Sequence, residues 1–319
     1  MKQEEEKTIE SSAPEAGYSF ENPSEQASVV ETQKPGAPKR RSQWAEVWRR
    51  LKKNKMAMFG LVVIMIIIFT AIFADVIAPY SFRAQNLRRI AEGPSADHWL
   101  GTDELGRDIF SRIIHGTRVS LQVGFIAVSI SVLIGGFLGA VSGYYGGRLD
   151  NIVMRIMDVL LAIPSILLAI AIVSVFGGSL VNVMIAVGIS SIPVYARIVK
   201  ASVISIKEQE FIEAARAIGA KDLRIIFKHV LPNSMAPIIV QGTLGVANAI
   251  LSAAGLSFIG LGVQPPIPEW GAMLSGGRTF IRNSPHIATF PGVAIMITIF
   301  ALNLLGDGLR DALDPRLKQ

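Results

Sequence analysis

Residues able to do chemistry are few and widely spaced. His98, His115, His229 and His286 stand far apart with no HExxH pairing, and no cysteine is present, which excludes disulfides and thiolate metal sites. No GxxxxGK[ST] run occurs, so the chain carries no P-loop of its own. Gly255-Leu256-Ser257 offers a hydroxyl, but a nucleophilic serine needs a base within hydrogen-bond reach, and no histidine falls in the six apolar spans assigned below. Asp158 lies about one turn into an apolar run, where a carboxylate is a functional candidate; Arg155, three residues earlier, offers a cheaper explanation as a partner on the same helical face. Gln241 and Asn248 place two amides in another apolar run, able to bond between helices or to line a polar path.

The elements that must position these groups are membrane spans. Half of the 319 residues are hydrophobic and the mean hydropathy is +0.44, which is too apolar for an ordinary soluble domain. The net charge of +6 is concentrated between the apolar runs, a pattern of membrane orientation and anionic-lipid contact rather than nucleic-acid binding. Residues 1–38, rich in Glu, Ser, Pro and Gln, read as a disordered cytoplasmic tail. Residues 39–55, with eight Lys or Arg around Trp44 and Trp48, read as a basic interfacial helix. TM1 follows at 56–79, an extracytoplasmic loop at 80–118, and TM2 at 119–147, where Gly135, Gly139 and Gly143 form a close-packing stripe. Residues 159–196 are free of charge, and one helix of that length would be ~57 Å, too long for a bilayer. Gly177-Gly178-Ser179 therefore divides TM3 (153–176) from TM4 (180–197), with bends at Pro164 and Pro193. A coupling loop (198–234), TM5 (235–262), an outer loop (263–286) with a surface helix near 269–281, TM6 (287–306) and a short C-terminus (310–319) complete an all-α polytopic membrane protein of six transmembrane helices, both termini inside. The six arginines of the first outer loop run against that orientation, although six acidic residues accompany them.

The charged stretch 210–233 lies between TM4 and TM5. Phe211, Ala214, Ala215 and Ile218 share one helical face. Gly219 suits a helix stop with φ > 0; Leu223, Ile226, Phe227 and Val230 repeat the spacing, and Pro232 closes the second helix. Glu213-Ala214-Ala215, Gly219 and His229-Val230-Leu231-Pro232 together resemble the EAA loop of ABC importer permeases, with His229 where an apolar residue is usual. His98-Trp99-Leu100-Gly101-Thr102-Asp103-Glu104-Leu105-Gly106-Arg107-Asp108 resembles a signature of the C-type subunit of peptide and nickel importers; in it Asp103, Arg107 and Asp108 could pair locally.

The resemblance, covering about 40–319, implies a type I ABC importer permease fold with cytoplasmic EAA coupling helices. Phe211, Glu213, Ala214, Ala215, Ile218, Gly219, Leu231 and Pro232 would then couple to an ATPase, and Asn248 and Gln241 would border the pathway. It also implies a non-catalytic subunit, paired with a second related permease, two ATPase subunits that bind ATP and Mg, and an extracellular substrate-binding protein. Oligopeptides or dipeptides are the expected cargo, with nickel, glutathione or another small solute as the alternative. An ion-driven carrier would want buried ionisable groups at mid-membrane, and these spans offer almost none.

Overall fold

The computed structural model describes residues 43–314, and within them it is built of helices. The N-terminal tail, the first residues of the basic helix and residues 315–319 lie outside the described residues. Five helices are long and apolar enough to cross a membrane, or six when one sharply bent pair counts as a single span.

Helix α1 (Gln43–Leu51) leads into α2 (Lys55–Ile72), whose first turn is capped by the Asn54 side chain accepting from the amides of Met56 and Ala57. A short turn, α3 (Ala74–Ile77), precedes the loop that runs to α4 (Ile109–Tyr145). Helix α4 is 37 residues long and begins ten residues before the expected start of TM2, so residues 109–118 are helix and not loop. Asp108 explains the early start: its carboxylate accepts from the Ser111 amide at 2.7 Å and satisfies an otherwise orphan donor of the first turn. The charges at Arg112, His115 and Arg118 hide this turn from a hydropathy reading.

The expected TM3 is not one helix. Helix α5 (Gly147–Leu161) and α6 (Ser165–Phe176) meet at 87°. Pro164 stands at the corner, where it cannot donate to α5 and its ring disfavours helical geometry in the residue before it. Asp158, on α5, pairs with Arg197 of α7 (Leu180–Lys207) at 2.6 Å rather than with Arg155. The turn between α6 and α7 is closed by Asn182, whose amide donates to the carbonyls of Phe176 and Gly177.

After residues 210–233 come α11 (Met235–Phe258), α12 (Trp270–Gly277) and α13 (His286–Leu313). Helix α12 is not a surface helix. Trp270 is buried and donates from its indole to the Ile113 carbonyl, and Gly271 lies against the Ala254 backbone, so α12 is wedged among α4, α11 and α13.

Helix α4 is locked to α7. A Cβ at Gly135, Gly139 or Gly143 would lie 2.5, 2.3 or 2.9 Å from the carbonyl oxygens of Ile192, Ala196 and Lys200 respectively. The two backbones are in contact along three turns, as a small-residue stripe allows.

The loop before α4 holds a buried ionic network at one end of the bundle. Arg107 donates to Asp103 at 2.6 Å and to Glu104 at 2.7 Å, and Arg112 lies 3.3 Å from Asp103. Asp108 is not a partner of Arg107; it caps α4, with His98 Nδ1 3.0 Å away. Arg118 donates to the Ala71 carbonyl and to Asp75, and this guanidinium, with a smaller contribution from His115, holds the Asp75 carboxyl below its ordinary range. Most of the arginines that run against the expected orientation are thus spent on carboxylates and carbonyls of the same end.

Candidate functional site: the coupling segment and a polar cavity

The opposite end of the bundle carries residues 210–233, the segment in which coupling residues were expected. Helix α8 (Glu210–Ala217) ends in a bend at Gly219, which takes φ +78. Its amide donates to Arg216 O at 2.9 Å and the Ala220 amide to Ala215 O at 3.1 Å, the paired bonds that close a helix through a left-handed residue. Helix α9 (Asp222–Ile225) then passes through a π-helical turn, Ile226–Val230, into α10 (Leu231–Asn233).

Two expectations change here. Pro232 does not close the second helix; the helical run reaches Asn233, and only Ser234 separates it from α11. The widened turn moves the ladder to Leu231 N→Ile226 O, and Pro232 sits in the first turn of α10, where its missing amide hydrogen costs least. The expected apolar face also divides. Ile226 and Val230 are buried, whereas Leu223 and Phe227 are exposed, Phe227 to 62%.

Helix α8 divides in the same way. Ile212 and Ala215 pack into a core with Tyr144, Val199, Val203 and Ile225. Phe211, Glu213, Ala214 and Ile218 face outward, Ile218 at 85% exposure. Ala215 therefore belongs to the inner face, not to the face it was expected to share with Phe211 and Ile218. Leu231 is half-buried and Pro232 exposed. Phe211, Ala214 and Ile218 before the bend and Leu223 and Phe227 after it are thus exposed apolar side chains of the segment, with Glu213 also exposed. Leu223 and Phe227 were visible as apolar periodicity, but spacing alone does not show which side of that stripe the core takes.

In the bundle a cavity of about 280 Å³ has a mixed lining, in which Ser131, Ser165, Ser190, Ser191, Tyr195, Gln241, Asn248 and Ser252 stand among apolar residues such as Val128, Val194 and Leu251, with no charged side chain. Gln241 and Asn248 thus share one wall on α11. The Tyr195 hydroxyl donates to the Gln241 carbonyl at 3.1 Å, and the Ser131 hydroxyl to the Gly188 carbonyl at 2.7 Å. The serines were missed by the sequence reading because isolated hydroxyls in apolar helices usually bond to their own backbone.

Ser257 is buried near the end of α11, where its hydroxyl accepts from the Val263 amide at 3.4 Å. A histidine does lie in one spanning helix, since α4 includes His115, but its ring nitrogens face Ser111 O and Asp75. Ser257→Ala should therefore retain uptake within about twofold, the loss being one weak neutral hydrogen bond. A labelled-cargo assay in membrane vesicles checks this, and abolished uptake would reopen a catalytic role.

A bundle of spanning helices with a polar core and a jointed amphipathic segment at one end defines a helical transport subunit. Residues 131–319 match the family described as binding-protein-dependent transport system inner membrane component, and residues 42–94 match the N-terminal TM domain of oligopeptide transport permease C. The chain belongs to this family of inner-membrane transport components, and it is a multi-pass membrane protein. It is 51% identical over 300 residues to the dipeptide transport system permease protein DppC of Alkalihalophilus pseudofirmus, covering 92% of this chain and 99% of that one. It is 49% identical over 281 residues to the glutathione transport system permease protein GsiD of Pectobacterium atrosepticum, covering 87% of this chain and 93% of the relative. Among solved structures, an inward-facing MetNI methionine ABC transporter superposes with a TM-score of 0.54 over 65% of this chain and 98% of that one, at 19% identity, a likeness of fold.

Proposed function

We propose that the protein is the C-type permease subunit of an ATP-driven importer of dipeptides or oligopeptides. In this reading the end bearing α8–α10 faces the cytoplasm, and the exposed side chains of Phe211, Ala214, Ile218, Leu223 and Phe227 seat in a groove on a separate ATPase, with Glu213 at the rim. ATP and Mg belong to a pair of such ATPases. A second six-span chain completes the pathway, and an extracellular binding protein delivers the cargo. The observation that carries the reading is the exposure of these apolar side chains on a segment packed on its other side into the protein's own core. The cavity's uncharged hydroxyls and amides, set among apolar residues, suit the amides and carbonyls of a peptide backbone.

A glutathione cargo is the second reading, favoured by the identity to a glutathione permease; glutathione is itself a peptide and would use the same lining. Mild solubilisation should bring down an ATPase pair and a second permease, and uptake should be seen with labelled dipeptides or longer peptides. Uptake of glutathione alone would select the second reading, and uptake that persists without the ATPases would remove the first.

A further inference from the structure

We infer that the Tyr144 hydroxyl is a positioning group that makes the coupling segment move as one piece with α4, so that motion imposed on the segment reaches the spanning helices. The inference rests on the docking reading of 210–233 given above. Tyr144 stands in the last turn of α4 and is 5% exposed. Its hydroxyl donates to Asp222 Oδ1 at 2.7 Å. Asp222 is the first residue of α9, just past the Gly219 bend. From the other side of that bend, the Arg216 guanidinium of α8 lies 5.6 Å from the Tyr144 ring centroid. One aromatic side chain thus touches both short helices and spans the joint between them. The Tyr144 carbonyl, which α4 leaves without an intrahelical donor, accepts from Lys207 Nζ at 3.0 Å, so the root of the segment is held at the same residue.

The remaining contacts of the segment are of another kind. Ile212, Ala215, Ile225, Ile226 and Val230 pack on Ala140, Val199, Val203 and Ile206. Such apolar contacts hold surfaces together but are non-directional and permit sliding, whereas a hydrogen bond fixes distance and angle. Among the described residues, Tyr144–Asp222 is the side-chain hydrogen bond that ties 208–234 to a spanning helix other than its own covalent neighbours. Because α4 is locked to α7 through Gly135, Gly139 and Gly143, a segment held to Tyr144 is held to both helices. Without the hydroxyl, α8 and α9 can turn about Gly219 while the bundle stays still.

The test uses the complete complex with its ATPase subunits in liposomes, with dipeptide uptake and ATP turnover measured on one sample. Tyr144→Phe keeps the ring and removes the donor, Asp222→Leu removes the acceptor, and Asp222→Asn keeps an acceptor oxygen. Tyr144→Phe and Asp222→Leu should lower peptide moved per ATP by about fivefold, the scale of a single coupling contact, with ATP turnover and subunit content unchanged; Asp222→Asn should stay near the parent. Unchanged peptide per ATP in Tyr144→Phe overturns the inference, as does an Asp222→Asn complex as impaired as Asp222→Leu. Loss of the ATPases from the Tyr144→Phe complex also overturns it, because the hydroxyl would then serve assembly and not transmission. The docking reading is judged separately in the parent background: an Ile218→Cys protein that gives no cross-link to the ATPase ends that reading and this inference with it.

Discussion

Gly219→Pro should leave the protein in the membrane and reduce uptake to background. Gly219 has φ +78, while proline holds φ near −65° and cannot follow. Its amide also donates to Arg216 O at 2.9 Å, a bond proline cannot make. No atom lies within 4 Å of a Cβ added at this position, so the damage is conformational and not steric. The cost exceeds about 1 kcal/mol, as for proline at any position of incompatible φ and bonded amide, and it falls on the bend that directs Phe211, Glu213 and Ile218, while the apolar spans that decide insertion are untouched. Gly219→Ala separates conformation from crowding: the left-handed penalty of about 1–2 kcal/mol should leave partial uptake. Uptake and ATPase copurification on the same preparations check both. Normal uptake by Gly219→Pro would mean that the bend is not part of coupling.

Gly139→Ala should destabilise the folded protein more than any other single methyl added to α4. The new Cβ would lie 2.3 Å from the Ala196 carbonyl oxygen and 3.0 Å from its carbon, and since these are backbone atoms no side-chain rotation relieves the clash. Overpacking of this kind costs about 1–3 kcal/mol, and here it forces apart the most intimate helix pair of the bundle. Gly136→Ala is the control on the same helix. Its nearest neighbour is a Val199 methyl at 4.0 Å, an ordinary van der Waals distance, and the change gains up to about 1 kcal/mol of helix propensity. Thermal unfolding of the detergent-solubilised variants should show a lowered midpoint for Gly139→Ala and none for Gly136→Ala. Equal midpoints would mean that α4 and α7 are less closely packed than the structure places them.

Much of this architecture was legible because hydropathy and glycine spacing report directly on lipid exposure and helix approach. The stripe at Gly135, Gly139 and Gly143 read as packing, and it is packing. The bend at Gly219 was readable because few residues tolerate φ > 0. What escaped depended on partners distant in sequence. Asp158 was matched with Arg155 by spacing, yet its partner Arg197 is thirty-nine positions away, across the corner at Pro164. The start of α4 was hidden by charges that bind carbonyls of other elements, such as Arg112 with Phe82 O. The face expected for Leu223, Ile226, Phe227 and Val230 was divided by packing, since Ile226 and Val230 turn to Val199 and Val203 while Leu223 and Phe227 stay outside. Of the expected coupling residues, Phe211, Glu213, Ala214 and Ile218 share the outward surface, and Ala215 does not. Gln241 and Asn248 do share a cavity, but the hydroxyls that complete its polarity come from helices that only folding brings together.

Helix α4 has one more consequence. At 1.5 Å per residue its 37 residues extend for about 55 Å, well beyond a hydrocarbon layer of ~30 Å, and no proline interrupts them, in contrast to Pro193 of α7 and Pro291 of α13. Its first turn is anchored by Asp108 at one end of the bundle, and its last by Tyr144 at the other. An axle seated in two bearings cannot tilt at one without displacing the other. A displacement of the loop at 98–108 is therefore passed along one uninterrupted helix to Tyr144, and α7, held to α4 through Gly135, Gly139 and Gly143, is carried with it.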